Sequence, residues 1–400
     1  MDTCNLKNML KKTSYLVGII LIAGLSGIIA NRYIFPYLGA NSFFSKCALF
    51  KKAGENVTVI NKTEQIYIKE ESSISKIADR IIPSVVSIAS FPQDDPKNPM
   101  QKKIKEIINA TGEIMTSDGI IMTTANAILP DYFSKNNFSL TNLDRVFKIT
   151  TSSGNVYDGK LLAVDSWSNL AFLKIEASNL PAMPFSDSDE CNPGEKLIYI
   201  GNDSFEYQNK FATGLLSSFE PAYNISGETL SKAEKMEGVF LADFNQENIS
   251  AGGPVIDYSG QAIAVSGSII KNGKIQYFQI PSNKIKKVLK KVIDGNSSSN
   301  ISLGAYYLPV NKSLASVNQL ALDRGALIYS ASSQQGLAVI FNSTADKAGL
   351  KINDLIIKVD DTEINLKDNL SDVLYEYKKG DKAEFTLLRE NKEIKLTVQF

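Results

Sequence analysis

Between about residues 84 and 282 the chain is a run of short strand signals broken by turn residues. This pattern limits the fold more than any other feature of the sequence. A short amphipathic helix begins at Ser73, Pro83 ends it, and a β-branched strand at residues 84–89 follows. Residues 112–115 and 119–124 flank Ser117-Asp118-Gly119, a hairpin-turn sequence. Residues 146–151 and 156–164 flank a second turn at Ser152-Ser153-Gly154-Asn155, and 171–175, 196–200, 210–217, 238–242, 254–256 and 262–270 continue the series. No long helical pattern intervenes before 282–293. Many short strands at such spacing predict a mainly β domain, a barrel or a sandwich.

The flanks have a different grammar. Residues 14–30 hold no charge, and the uncharged run from Thr13 to Asn31 approaches the roughly 20 residues that cross a bilayer. Lys7, Lys11 and Lys12 precede it, which favours a cytoplasmic N-terminus, and Tyr33, Phe35 and Tyr37 follow, where aromatic rings favour the interface. A cleaved signal peptide is the rival expectation, but Ile28-Ile29-Ala30 lacks a small residue three before the cut. A buried soluble helix is the third. The predicted order is a cytoplasmic tail at 1–13, a transmembrane anchor at 14–35, a linker at 36–72, a β domain at 73–295 and a small α+β domain at 300–400. Asp294 to Asn300 is a polar linker by composition. In the last hundred residues, helices are expected at 344–349 and 367–377, and strands at 382–389 and 392–399.

Composition excludes several functions. Lys plus Arg and Asp plus Glu are both 43, so no basic excess points to nucleic acid. The chain contains no histidine, and Cys4, Cys47 and Cys191 show neither a metal spacing nor a disulfide framework. No metal site and no cofactor are expected, and each cysteine reads as a free thiol.

Four stretches resemble the HtrA/Deg family, in which a trypsin-like double β-barrel precedes one or more PDZ domains. Residues 111–128 (TGEIMTSDGIIMTTANAI) look like the strand-turn-strand leading to that family's catalytic histidine. Residues 161–202 look like the stretch that carries its aspartate, and 241–267 like its nucleophile loop. Residues 343–364 (STADKAGLKINDLIIKVDDTEI) carry a PDZ signature. The resemblance covers about 73–400 in consistent order. It implies that the catalytic positions fall on Asn126, Asn169 and Ala251, and that Ile249 stands where the family has an oxyanion-site glycine. The family chemistry needs a hydroxyl, an imidazole and a carboxylate, and none of these residues supplies one. Ser250 lies one step from Ala251, with no base evident to activate it. Asp165 and Asp243 read as surface or turn carboxylates, and Trp167 as a packing residue at a loop or barrel edge.

By the same resemblance the PDZ domain is the candidate for retained binding. The signature Ser302-Leu303-Gly304-Ala305 would hold a peptide carboxylate and 305–308 would pair with the peptide. Tyr306 lies on that strand, and Leu370, Val373 and Leu374 would form the opposite wall. In the rival reading Leu303 is core and the groove is closed. Residues 330–341 lengthen a nearby loop and could cover or reshape the groove. These residues imply a membrane-anchored pseudoprotease outside the cytoplasmic membrane, a chaperone, adaptor or regulator that binds peptide C-termini or unfolded proteins. A homotrimer, or a mixed oligomer with active relatives, would fit the family. An active endopeptidase with an unfamiliar constellation and a structural envelope protein are the alternatives.

Overall fold

The computed structural model describes residues 3–30, 34, 74–93, 107–129, 145–202, 209–227, 230–271, 273–296, 301–332 and 334–400. The described residues fall into two compact units, 1–76 and 77–400. In the first, helix α1 (Thr3–Ile29) runs 27 residues, and its stretch Lys12–Ile29 is long and apolar enough to cross a membrane. Its exposed face carries Leu16, Ile19, Ile20, Leu21, Ile22 and Leu25. The expected interfacial aromatics and the linker at 36–72 lie outside the described residues.

A helix, α2, over 74–81 spans the boundary of the two units and buries Ile77, Ala78 and Ile81. Six strands follow: β1 (Val85–Pro92), β2 (Ile108–Ile114), β3 (Ile120–Thr124), β4 (Arg145–Thr151), β5 (Val156–Asp165) and β6 (Leu170–Lys174). A one-turn helix, α3 (Ala125–Ile128), leaves β3. The strands close into an antiparallel barrel in the order β1-β2-β3-β6-β5-β4, and β4 pairs back onto β1. Its interior is filled by Val86, Ile88, Ile114, Ile121, Phe147, Ile149 and Leu173. Closure leaves no unpaired edge, which a lone sheet of this length would expose.

A second closed barrel, in the order β10-β13-β12-β11-β7-β8, uses β7 (Lys196–Gly201), β8 (Lys210–Asn224), β10 (Glu237–Ala242), β11 (Pro254–Ile256), β12 (Ala262–Lys271) and β13 (Lys274–Pro281). The two-residue strand β9 (Ser231–Lys232), between β8 and β10, belongs elsewhere. Met122, Leu170 and Phe172 of the first barrel share one core layer with Val239, Val265 and Phe278 of the second. Helix α4 (Ser282–Ile293) seals that layer through Ile285, Val288 and Val292, spaced three and four apart on one helical face. The double β-barrel expected from the sequence is therefore present.

The last region is an α+β domain. Its strands are β14 (Tyr306–Pro309), β15 (Ala326–Ile328), β16 (Leu355–Val359), β17 (Thr362–Glu363), β18 (Lys382–Arg389) and β19 (Lys392–Gln399). Its helices are α5 (Lys312–Asn318), α6 (Gln335–Ala338), α7 (Thr344–Ala348) and α8 (Leu370–Leu374). Its sheet runs β19-β18-β16-β15-β14-β9, so its terminal strand is donated by the second barrel. Helix α8 is shorter than the expected 367–377, because Asn369 caps its start and the chain turns after Leu374.

Candidate functional site

Three loops meet between the barrels. Asn169 ends the turn after β5 with φ 61°, a left-handed conformation that asparagine tolerates. Its carbonyl accepts from the Ala125 amide at 2.8 Å, and its side-chain Oδ1 accepts from the Asn126 amide at 3.3 Å. Asn126 then donates Nδ2 to the Ser268 carbonyl on β12 at 2.8 Å, with Ser268 Oγ at 3.2 Å. The third loop is held by Gly252 N donating to Ser266 O and Ser266 N donating to Gly253 O. Gly252 has φ 93°, and a Cβ there would lie 2.4 Å from Thr123 Oγ1 and 2.5 Å from Thr111 O. Only glycine brings this loop, and with it Ala251, so close to the first barrel.

The chemistry available is narrow. Asn126 presents an amide NH2 to a carbonyl, and its Oδ1 is buried without a hydrogen-bond partner among the described residues. An amide takes up no proton near neutral pH. Ala251 has no nucleophilic atom. Ser250 Oγ lies 2.9 Å from Tyr199 Oη, which also receives the Ser250 amide, so that hydroxyl is tied to a buried phenol. Ile249 is extended at φ −118° and buried in the second barrel beside Tyr199, Phe244 and Val255. Glu113 on β2 is fully buried with both oxygens unpartnered among the described residues, and burial pushes its carboxyl well above the usual range. Cys191 is a free thiol that burial pushes up to about 11, and Cys47 lies outside the described residues. Among the described residues no group of three His, Cys, Asp or Glu could hold a metal.

The residues named from sequence for a peptide groove lie together in one place, with Leu303 in the core as the rival reading has it. Leu303, Ala305, Leu370 and Leu374 share the core of the α+β domain, with Val373 packed against it. Gly304 needs its positive φ of 73°, because a Cβ would meet Ser343 Cβ at 2.3 Å. Residues 339 and 340 meet this turn: Ile340 N donates to Gly304 O, and Val339 bridges Ala305. The groove is not empty. β9 lies antiparallel to β14, with Ser231 opposite Tyr307 and Lys232 opposite Tyr306. Ala233 is buried in the same core, and Glu234 Oε1 accepts from Gly304 N at 2.7 Å and Ser302 Oγ at 3.2 Å.

Further contacts fasten the α+β domain to the barrels. Tyr375 follows α8 yet packs in the inter-barrel core layer. Its ring stacks on Trp167 at 4.0 Å and 17°, and its Oη donates to Asp165 Oδ1 at 3.2 Å. Trp167 Nε1 donates to Ser371 Oγ, which donates to the Lys235 carbonyl. Lys284 on α4 pairs with Asp372. Glu237 is buried and accepts from both Ser231 Oγ and Tyr307 Oη at 2.7 and 2.6 Å, and burial pushes its carboxyl up to about 7. Asp165 is not a surface carboxylate: it closes a turn through Ser168 but is buried at 2% exposure under Tyr375. Asp243 is exposed. Sequence reasoning missed Glu234, Glu237 and Tyr375, because nothing in their local pattern marks a contact across more than 65 residues.

Two family models match the chain: the trypsin-like peptidase domain over residues 110–265, and the PDZ domain over 314–400. The serine protease HTRA1 of Xenopus tropicalis is 26% identical over 329 residues, covering 81% of this chain and 66% of that protein. A probable periplasmic serine endoprotease, DegP-like, of Chlamydia muridarum is 26% identical over 298 residues, covering 74% and 54%. The chain thus spans between about half and two thirds of these relatives' length. A solved structure of the HtrA-type protease AlgW with a decapeptide superposes with a TM-score of 0.58 at 19% identity, over 81% of this chain and 97% of that one. A second, with a tripeptide, gives 0.59. That likeness is one of fold.

Proposed function

The chain joins a trypsin-like peptidase domain to a PDZ domain in the manner of HtrA-type proteins, and from this premise we propose that it is a membrane-anchored pseudoprotease that holds peptides rather than cutting them. The observation that carries the reading is the set of loops that meet between the barrels. Asn126, Asn169 and Ala251 stand at the positions where the family resemblance puts base, orienting carboxylate and nucleophile. The amide of Asn126 is spent on a backbone carbonyl, and Ile249 fills the core where the oxyanion loop would need a flexible residue. What is retained is a rigid double barrel carrying a PDZ domain, whose binding mode is strand addition with capture of a terminal carboxylate. Helix α1 would anchor the chain in the cytoplasmic membrane, with its lysines inside and residues 77–400 outside. There it would act as a chaperone, adaptor or regulator in envelope protein quality control, alone or assembled with active relatives.

The test uses the detergent-solubilised chain. Incubated with unfolded casein, it is expected to give no cleavage above the uncatalysed background while binding C-terminal peptides. The second reading, an active endopeptidase, is favoured by the protease names of the relatives. Casein cleavage that disappears in Ser250→Ala would establish it and overturn the proposal.

A further inference from the structure

The segment that fills the groove has the features of a ligand. An added peptide runs antiparallel to the pairing strand with its last residue at the carboxylate loop. Residues 231–234 do the same: Ser231 faces Tyr307, Lys232 faces Tyr306, and the chain advances to Gly304. At the point where a peptide would end, Glu234 turns a side-chain carboxylate onto the Gly304 amide and the Ser302 hydroxyl. The residue before it, Ala233, is buried among Leu303, Leu374 and their neighbours, where a terminal side chain would insert. Ile301, Leu303, Leu374 and Tyr377 line a small cleft beside Ala233. Glu237 ties the two strands together by accepting from a hydroxyl on each.

We propose that residues 231–234 are a built-in ligand of the PDZ domain, and that a peptide with a free C-terminal carboxylate binds by displacing them. The proposal rests on the peptide-binding reading above and adds its regulation. A strand and a carboxylate cannot occupy the same amides twice, so binding and release of the segment are one exchange. The segment joins β8 to β10, two adjacent strands of the second barrel. The measured affinity is then the intrinsic affinity reduced by the fraction of molecules with the groove open.

A fluorescein-labelled peptide of sequence 224–233, ending in a free carboxylate on alanine, is the probe, and its C-terminal amide is the control. Anisotropy is read with the full chain and with Glu234→Ala and Glu234→Gln. Glu234 is half-exposed, so neither change empties a core. The expected result is binding of the acid but not the amide, tightened roughly tenfold in Glu234→Ala, the scale of losing a charge-assisted hydrogen bond. Hydrogen exchange at residues 231–236 of the unmodified chain should accelerate when the peptide is added. Equal affinity in all three proteins, or peptide binding that leaves exchange at 231–236 unchanged, would overturn the built-in ligand while leaving peptide binding intact. Binding to none of the three proteins would overturn both.

Discussion

Tyr375→Ala should separate the α+β domain from the barrels. Tyr375 is 7% exposed, stacks on Trp167 at 4.0 Å, lies under Lys291 Nζ at 3.6 Å from its ring centroid, and donates to buried Asp165. Truncating a buried aromatic to alanine costs about 3–5 kcal/mol, of which the stack supplies roughly 0.5–1.5. Asp165 keeps its two bonds from Ser168 but loses its third donor, which adds about 1–2 kcal/mol. The expected loss is about 4–7 kcal/mol for Tyr375→Ala and about 1–2 for Tyr375→Phe, which keeps the stack. In scanning calorimetry residues 77–400 should melt as one transition in the unmodified chain. Tyr375→Ala should split it, with the α+β domain unfolding separately and the barrel transition lowered by several degrees, at roughly 2–4 °C per kcal/mol. The same variant should bind the 224–233 peptide more tightly, since weaker docking raises the open fraction. A single transition within about a degree of the unmodified chain would refute the claim that this ring couples the domains.

Other changes have equally definite outcomes. Glu237 is pushed up to about 7 from 4.5 by burial, with Asp372 adding to the rise and its hydrogen bonds to Tyr307 and Ser231 and the charge of Lys284 opposing it. Its contribution to stability is complete below pH 4.5 and is lost as pH rises through about 7. Thermal stability should therefore fall by about 2–3 kcal/mol between pH 5 and 8 and the groove open more readily, a dependence that Glu237→Gln should remove, as chemical denaturation at the two pH values would reveal. Gly252→Ala forces a left-handed alanine into Thr123 and Thr111 and should cost more than about 2 kcal/mol in urea unfolding, whereas Gly154→Ala, also left-handed but in open space, should cost about 1. Arg389 forms a bidentate pair with the buried Asp354, so Arg389→Met should lose about 3 kcal/mol by stranding that carboxylate, again read by urea unfolding.

The regular parts of this fold could be read from the chain because local signals dictate them. Pro254–Ile256, Ser282–Ile293, Lys382–Arg389 and Lys392–Gln399 appear with the expected bounds, each set off by turn residues or by a sharp change in apolar period. β13 was not anticipated, although Asn272-Gly273 is a strong hairpin signal before an alternating Ile275, Tyr277 pattern. β8 runs to Asn224 rather than stopping near 217, since its alternation persists beyond the apolar stretch. β9 was beyond reach: two polar residues have no strand propensity of their own, and their partner lies some seventy residues on. Where the three loops meet, the residue types Asn126, Asn169 and Ala251 could be read directly, whereas the Asn126–Ser268 contact arises only when β12 is folded beside α3. Of the two carboxylates, Asp243 is exposed as expected, and Asp165 closes a turn as expected but is covered by Tyr375.

The pseudoprotease reading stands or falls on whether any serine is activated. The intact mass of the full chain, measured after exposure to a fluorophosphonate under conditions that fully label a trypsin-like control enzyme, is the most direct measurement. Because Ala251 has no hydroxyl and Ser250 is bound to Tyr199 rather than to a base, the mass is predicted to stay unchanged. A stoichiometric phosphonate adduct on a serine, and above all on Ser250, would contradict the account.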